Sequence, residues 1–306
     1  MKKYQANLGL LMCALIWGTG FIATDIAFDS YTPMQVQFLR FGIAAILLLL
    51  FLLIKKEKIN MEALKIGSIM GLVFFVAYSF QSYGMEITTP SKNAFFTNTN
   101  VIFVPLIMFL YFKTKITRRF FIGLITILLG YFLIIFTFNV FNLKANFLSL
   151  EANLTFNFGD FLTIVGAVGF ALHIVLTSIY SQRYKASELL FAQMMVSTIG
   201  SFIIMLFEKS SLTFVPIPFL LCLYMAIFSS IIAYGGQIIF QKYTEASPAA
   251  IILSLESPFA ALFSIIFARE HFFNGLIVGG IFVVIGIILI ESNIGKNWFS
   301  KNKNSS

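Results

Sequence analysis

An internal repeat constrains this chain more than any other feature of its sequence. The stretch 77–134 returns without a gap 156 residues later as 233–290. The alignment pairs Tyr78 with Tyr234, Gln81 with Gln237, Gly123 with Gly279 and Gly130 with Gly286. A single offset over 58 residues indicates that a whole supersecondary unit is duplicated, so we expect an even number of copies.

The composition identifies the medium in which this unit folds. The chain is 59% apolar and only 11% charged, with a mean hydropathy of +0.91, whereas an average soluble domain carries about 25% charged residues. A large soluble helical protein would need charged helix faces, and these are almost absent. We therefore predict an all-α integral membrane protein.

The apolar runs predict ten transmembrane helices, because one crossing needs roughly 20 mostly apolar residues. We predict them at 6–27, 33–54, 63–83, 91–112, 119–138, 158–180, 187–207, 217–240, 247–268 and 274–292. The predicted domains are a first five-helix repeat at 6–138, an extracytoplasmic linker at 139–157, a second five-helix repeat at 158–292 and a cytoplasmic tail at 293–306. Since each repeat has an odd number of helices, the second enters the membrane inverted relative to the first.

The lysines and arginines predict the orientation. With the amino terminus inside, sixteen of them fall on the inner side and four on the outer side, and Arg40 lies within the membrane. The positive-inside rule then places both termini in the cytoplasm of a multi-pass cell-membrane protein. The first apolar run is long and contains Trp17, so we interpret it as a retained helix and not as a cleaved signal.

Inverted repeats favour transport, because two similar halves can exchange conformations around a midplane site. The alternative is duplication for bulk alone, as in some membrane enzymes and scaffolds. No phosphate-binding loop, His-Glu-x-x-His motif or cysteine cluster is present, and Cys13 and Cys222 lie singly in apolar runs. We expect neither enzyme activity nor a cofactor nor a metal. The net charge of +8 sits in clusters between apolar runs, so we expect no nucleic-acid partner.

Several motifs together resemble the EamA family of the drug/metabolite transporter (DMT) superfamily. They are Trp17-Gly18-x-x-Phe21, Pro33 followed by Arg40, Glu256-x-Pro258, and Arg269-Glu270 before Gly279 and Gly286. The resemblance implies ten helices in two inverted repeats and a secondary active or facilitative transporter of small metabolites, often an exporter of amino acids or related solutes. One departure is that Lys113-Thr114-Lys115 stands where the second repeat has Arg269-Glu270-His271.

The buried charges are the first candidate site residues, because an ionisable group deep in a membrane helix is costly and usually functional. Glu256 lies near the expected midplane, and its counterpart in the first repeat is Asn100. Arg40 lies about seven residues into the second helix, and Gln193 is opposite it in the second repeat. Arg40 can bind a substrate carboxylate or pair with a protein group such as Glu256. For Glu256, there are two interpretations: it binds substrate or a proton, or it forms a structural hydrogen bond.

Other polar positions also suggest a cavity lining. Asn93, Thr97 and Asn100 form a polar stripe on the fourth helix, which either lines the cavity or bonds neighbouring helices. Tyr78, Gln81, Tyr234 and Gln237 form two repeat-related pairs with the same two interpretations, and Trp17 is assigned to the lining. His173 can relay protons, although a packing role is the simpler interpretation. Pro105 and Pro258 are predicted to let their helices flex.

The sequence thus predicts a metabolite transporter working by alternating access, with an amino acid or a related metabolite as the exported solute. Its partners are a small-molecule substrate, the lipid bilayer, and a proton or an exchange counter-substrate. The alternatives are a non-transport membrane protein, either an intramembrane enzyme or a scaffold, and an uptake carrier for a nucleoside, a cofactor or a drug-like cation. A fold does not choose among these substrates.

Overall fold

The computed structural model describes residues 1–56, 59–113, 117–135, 156–269 and 278–290, and the regular elements in these ranges are helices. The first repeat holds α1 (Lys3–Phe28), α2 (Pro33–Lys55), α3 (Met61–Glu86), α4 (Pro90–Thr97), α5 (Asn100–Phe112) and α6 (Arg118–Ile135). The second holds α7 (Phe158–Tyr180), α8 (Ala186–Glu208), α9 (Pro216–Tyr224), a π-helical segment (Met225–Tyr234), α10 (Gly235–Gln241), α11 (Ala246–Leu253), α12 (Glu256–Ile266) and α13 (Val278–Ile290).

The ten-helix architecture predicted from the sequence is confirmed. Within the described ranges, eight helical spans are long and apolar enough to cross a bilayer, where Pro90–Phe112, Pro216–Gln241 and Ala246–Ile266 each count as one span. Helix α6 and the shorter apolar α13 occupy the two remaining predicted positions. The predicted linker at 139–157, apart from its last two residues, and the tail at 293–306 lie outside the described residues, as do Glu270 and His271.

Local capping explains where several helices begin. Thr32 accepts a hydrogen bond from the Gln35 backbone N–H at 3.4 Å, and the Gln35 side chain returns a bond to the Thr32 N–H, with Pro33 in the first helical position. Asn157 and Asp160 form the same reciprocal pair before α7. Such capping boxes satisfy backbone donors that the helix itself cannot bond, so the starts predicted at 33 and 158 agree with the structure.

Glycines bring α6 and α13 into backbone contact. A Cβ atom added to Gly123 would lie 2.8 Å from the Gly286 carbonyl oxygen, and one added to Gly130 would lie 2.5 Å from that of Gly279. Gly123 corresponds to Gly279 in the repeat alignment, and Gly130 corresponds to Gly286. Superposing each repeat on the other therefore places one glycine contact on the other. A pseudo-twofold axis therefore passes between α6 and α13, as inverted repeats require.

The fourth and ninth crossings are both split at repeat-related positions. Helix α4 ends and α5 begins around Asn98–Thr99, and α11 ends and α12 begins around Ser254–Leu255, one repeat offset later in the chain. Tight turns bridge both breaks, since the Thr99 N–H donates to Phe96 and the Leu255 N–H donates to Ile252. Pro105 and Pro258 lie beyond these turns and are not repeat-related, so their flexing role stays a prediction.

The two halves interleave. Helix α3 packs mainly against α7 and α8, α2 packs against α8, and α1 packs against α12. An ion pair between Lys92 and the buried Asp160, 2.7 Å long, also joins α4 to α7. These contacts surround a central space between the repeats.

Candidate functional site

A central cavity lies between the two repeats, at the level of the two helix breaks. Ten of the predicted site residues line it: Trp17, Arg40, Tyr78, Gln81, Thr97, Asn100, His173, Tyr234, Gln237 and Glu256. They come from α1, α2, α3, α4, α5, α7, the π-helical segment, α10 and α12, so the cavity is a joint product of both halves. Thr24, Ser82 and Met85 extend the lining toward the end of the bundle that holds Phe28 and Glu86.

Arg40 enters the cavity with part of its hydrogen-bonding capacity unused. It is 3% exposed, and its Nε donates to the Ser230 hydroxyl at 2.8 Å. Its guanidinium carbon lies 4.9 Å from the centre of the Tyr78 ring and 5.1 Å from that of Phe41. The Nη2 atom is buried and has no hydrogen-bond partner within the described ranges of the chain. Arg40 is thus a fixed cation with a free donor.

Glu256 is the first residue of α12 and lines the same cavity at 8% exposure. Among the residues that the structure describes, its carboxylate accepts no hydrogen bond and forms no ion pair, with Arg40 or with any other cation. An ionised carboxylate in a membrane interior is unfavourable without a cationic partner or a proton. Glu256 is therefore available for a cationic group that enters the cavity.

The lining of the cavity also contains unsatisfied amide oxygens. The Oδ1 atom of Asn100 and the Oε1 atom of Gln237 are buried, with no hydrogen-bond partner in the part of the chain that the structure describes, and both residues line the cavity with Glu256. The Gln237 amide nitrogen donates to Gln241 at 3.1 Å. Buried polar atoms in native proteins are nearly always bonded, so this part of the lining offers acceptors to a ligand.

Aromatic rings form the middle of the cavity. Trp17 and Tyr234 lie with their ring centres 4.5 Å apart, and Tyr78 packs edge-on against Phe170 at 5.4 Å. The Trp17 indole N–H donates to the Ser229 backbone oxygen at 3.2 Å, which fixes the ring. These side chains give the cavity rigid apolar walls between its polar groups.

The π-helical segment Met225–Tyr234 packs against α1 and α2 and supplies part of the cavity wall. It carries two small polar residues, Ser230 and Ser229. Ser230 binds Arg40, and Ser229 lines the cavity with a buried hydroxyl that has no hydrogen-bond partner among the residues described. The repeat-related residues 69–78 lie in the regular helix α3. π-Helical turns are rare and are often found at functional sites.

Two predicted residues, Asn93 and Gln193, lie outside the cavity lining. The Asn93 amide donates to the Gln81 carbonyl at 3.1 Å and to the Thr163 hydroxyl at 2.7 Å, which joins α4 to α3 and α7. The Gln193 Oε1 atom lies 2.7 Å from the His173 Nε2 atom. Both contacts are helix-to-helix bonds, and a transport role for either residue stays a prediction. Gln81 also donates to Thr97 at 2.8 Å, so these two lining residues are bonded to each other.

The sequence interpretation missed Ser229, Ser230 and Asn98. Two adjacent serines within the apolar run 216–241 are a recognisable signal for buried polar contacts. Asn98 donates from Nδ2 to the Ser254 carbonyl at 2.6 Å, and the Tyr131 hydroxyl donates to the same oxygen at 2.7 Å. Asn98 and Ser254 are repeat-related, so the two helix breaks are bonded to each other next to the cavity.

The free space in the cavity is about 50 Å³, far below the roughly 300–1,000 Å³ of typical ligand pockets. A metabolite can therefore be accommodated only if the surrounding helices move. At the end of the bundle toward which the cavity extends, Arg269 binds both Asp25 and Asp29 and so links the segment after α12 to α1. The hydrogen bond to Asp25 raises the pKa of Arg269 above its ordinary value.

Comparison with known proteins agrees with this architecture. The model of the EamA-like transporter family matches residues 5–136 and 157–292. An uncharacterized transporter of Archaeoglobus fulgidus is 30% identical, with 96% of this chain and 88% of that protein aligned. The uncharacterized transporter YoaV of Bacillus subtilis is 24% identical over 93% of this chain and 96% of its own. One crystal structure superposes with a TM-score of 0.74 at 14% identity, covering 94% of this chain and 96% of its own, which shows the fold alone.

Proposed function

Because the chain belongs to the EamA-like transporter family and is a multi-pass membrane transporter of the drug/metabolite type, we propose that it moves an α-amino acid or a closely related zwitterion through the central cavity by alternating access. The direction that we favour is export from the cytoplasm across the cell membrane, which the resemblance to the family implies. Family membership and relatives named as transporters favour this over an intramembrane enzyme or a scaffold.

The observation that carries the substrate class is the separation of the two buried charges. Arg40 and Glu256 line one cavity without pairing with each other, and each has unused bonding capacity. A substrate carboxylate satisfies the free Nη2 of Arg40, for which a guanidinium is well suited. A substrate ammonium satisfies Glu256 together with the unbonded oxygens of Asn100 and Gln237. A solute with both groups neutralises both charges at once, which a nucleoside or a simple cation does not do.

The remaining lining residues position this solute. Trp17, Tyr78 and Tyr234 present ring faces and edges to its carbon skeleton, while Gln81 and Thr97 hold each other in place. The cavity must enlarge to admit a solute, and the repeat-related breaks at Asn98 and Ser254 are where the helices can pivot. Pro105 and Pro258 contribute by weakening the helical hydrogen bonding beyond the breaks.

The test uses three ligands that share one carbon skeleton: an amino acid, the acid that lacks its amine and the amine that lacks its carboxylate. A ligand at 100 times its dissociation constant stabilises the folded state by about 2.7 kcal/mol. We expect the amino acid to raise the melting temperature of the detergent-purified protein. Arg40→Gln should lose the response to the amino acid and the acid, and Glu256→Gln the response to the amino acid and the amine.

Arg118→Gln and Glu245→Gln are the matched controls, since both residues are exposed and lie outside the cavity. They should respond as the wild type does, both in melting temperature and in flux from proteoliposomes. An amino-acid response that survives in both cavity variants would contradict the proposal. Stabilisation by a nucleoside or an organic cation alone would transfer the assignment to that substrate class.

For proton coupling, we propose Glu256 as the coupling group in preference to His173. His173 is already engaged at Nε2 by Gln193 and lies against Phe74 at 5.2 Å between ring centres. Glu256 has no such partner and can alternate between a proton and a substrate ammonium. In proteoliposomes with an imposed pH gradient, the residual flux of Glu256→Gln, measured at a high amino-acid concentration that offsets its weaker binding, should not depend on the gradient, and the flux of His173→Gln should retain that dependence. Loss of the dependence in His173→Gln alone would reverse the assignment.

A further inference from the structure

A second cleft lies at the opposite end of the bundle from Phe28 and Glu86, between the α7–α8 connection and the end of α10. It has a volume of about 360 Å³, which is within the range of ligand pockets. Its lining includes Arg183, Tyr184, Lys185, Ile239, Lys242 and Tyr243, and we call it the basic cleft. The Gln182 side chain donates to the Lys242 backbone oxygen at 2.5 Å, so its two walls are tied together.

The basic cleft has positively charged side chains on both of its walls, Arg183 on one and Lys242 on the other. Three cations line it, and no carboxylate does so in the part of the chain that the structure describes. Arg183 and Lys242 form no ion pair with any described residue. Glu62 lies near Tyr184 but is not part of the lining. Helix α8 begins at Ala186 beside the cleft, and its first turn contains the buried Glu188, whose carboxylate accepts a hydrogen bond from the Asn60 backbone N–H and is not part of the lining.

The apolar part of the lining favours an anion that carries an acyl chain over a soluble anion. Ile239 is 50% exposed and lies in the last turns of the apolar span Pro216–Gln241, next to Tyr243, which is 43% exposed. One side of the cleft therefore faces the hydrocarbon region, while the cations lie at the level where that span ends. A soluble anion needs only the cations, whereas a phospholipid places its phosphate among them and an acyl chain along Ile239.

We propose that the basic cleft binds the headgroup of an anionic phospholipid from the adjacent leaflet. Arg183 and Lys242 contact the phosphate, Tyr184 and Tyr243 flank the headgroup, and Ile239 contacts the first part of an acyl chain. This site is separate from the central cavity and shares no lining residue with it. Its existence does not depend on the identity of the transported solute.

The experiment measures phospholipid retained by the full-length protein in native mass spectrometry after mixing with equal amounts of phosphatidylglycerol and phosphatidylcholine. The wild type should retain phosphatidylglycerol preferentially. The double variant Arg183→Gln/Lys242→Gln should lose roughly tenfold or more in affinity for it, since each basic side chain near a membrane surface contributes about 1 kcal/mol to the attraction of anionic lipid. The control Arg118→Gln/Arg119→Gln removes two exposed cations at the same end of the bundle, outside the cleft, and should retain the lipid.

Three outcomes would overturn the proposal. Equal losses in both double variants would show diffuse attraction by surface charge and no defined site. Displacement of the lipid by millimolar inorganic phosphate would show a site for a soluble anion. Equal retention of both lipids by the wild type would show that the cleft does not distinguish an anionic headgroup from a zwitterionic one. A monodisperse elution profile and an unchanged melting temperature in lipid-free detergent confirm that each variant is folded.

Discussion

At the scale of single residues, Asn98 and Asn100 lie two positions apart and differ in what their side chains contact, although the amide oxygen of each has no hydrogen-bond partner among the described residues. Asn98 is fully buried and donates to the Ser254 carbonyl across the repeat boundary. Asn100 faces the cavity, and its amide oxygen has no partner. Proximity in sequence therefore does not imply a shared role, because one amide holds two helix breaks together and the other is free to meet a ligand.

This difference predicts that substitutions at the two positions affect different properties of the protein. Asn98→Ala should lower the free energy of unfolding by about 1–3 kcal/mol, because it removes a hydrogen bond and leaves a buried cavity. Asn100→Ala should change stability less and reduce flux more, since the side chain loses no protein hydrogen bond. Melting temperature and transport in proteoliposomes measure the two effects. Equal loss of stability in both variants would contradict the assignment.

Ser230 gives a second prediction at this scale. Its hydroxyl accepts the Nε hydrogen bond of Arg40 and so orients the guanidinium toward the cavity. Ser230→Ala should raise the KM for the transported amino acid several-fold with little change in maximal rate, since the cation remains but is less well held. Ser257→Ala is a suitable control, because Ser257 is also buried and small but lies outside the lining. A loss of rate at unchanged KM would indicate that Ser230 acts in a conformational step.

At the scale of helices, the contact between α6 and α13 depends on glycine at defined positions. Gly130→Ala should destabilise the protein by about 1–3 kcal/mol, because its Cβ would lie 2.5 Å from the Gly279 carbonyl oxygen and would force the helices apart. Gly280→Ala is the matched control, since a Cβ there meets nothing within 4 Å. The comparison is made by thermal unfolding in one detergent. A smaller effect at Gly130 than at Gly280 would contradict the packing argument.

The same scale shows what a sequence can specify. Apolar length is a local signal, and it predicted the ten crossings, with ends within a few residues wherever the structure describes them. The capping residues Thr32 and Asn157, which the structure shows at the starts of α2 and α7, are local signals of the same kind. The repeat alignment paired Asn98 with Ser254, but nothing local indicated that the chain tightens there or that the two residues bond. The π-helical geometry of Met225–Tyr234 was also not predicted, because the equivalent residues 69–78 form an ordinary helix.

The site was predictable to a similar degree. Ionisable residues inside apolar runs are conspicuous, and Arg40 and Glu256 were selected on that ground. Their lack of mutual pairing depends on the path of α2 relative to α12, which no spacing rule gives. Asn93 and Thr97 lie one turn apart on the same face of α4. Asn93 nevertheless bonds to neighbouring helices, whereas Thr97 lines the cavity. Periodicity identifies such a face without fixing which part of it meets a ligand.

At the scale of the whole molecule, the two halves have similar folds and different local geometry. The cavity lining includes a π-helical segment from the second repeat, whereas the equivalent segment of the first repeat is a regular helix, and the lining extends toward the end of the bundle that holds Glu86. Inverted repeats transport by exchanging two such conformations. The asymmetry is therefore consistent with one of the two states of an alternating-access cycle, in which the cavity is directed toward the end that holds Glu86.

This state and the proposed orientation give a joint prediction about accessibility. In a Cys13→Ala/Cys222→Ala background, cysteines are placed at Thr24 in the extended part of the cavity, at exposed Ser211 and at exposed Glu245. Because the side with most Lys and Arg is cytoplasmic, an impermeant maleimide added outside cells should label Ser211→Cys and not Glu245→Cys. Thr24→Cys should also be labelled from outside, and saturating amino acid should slow its reaction. Labelling of Glu245→Cys from outside would invert the topology, whereas correct topology with Thr24→Cys inert would show that the cavity is closed to that side in cells.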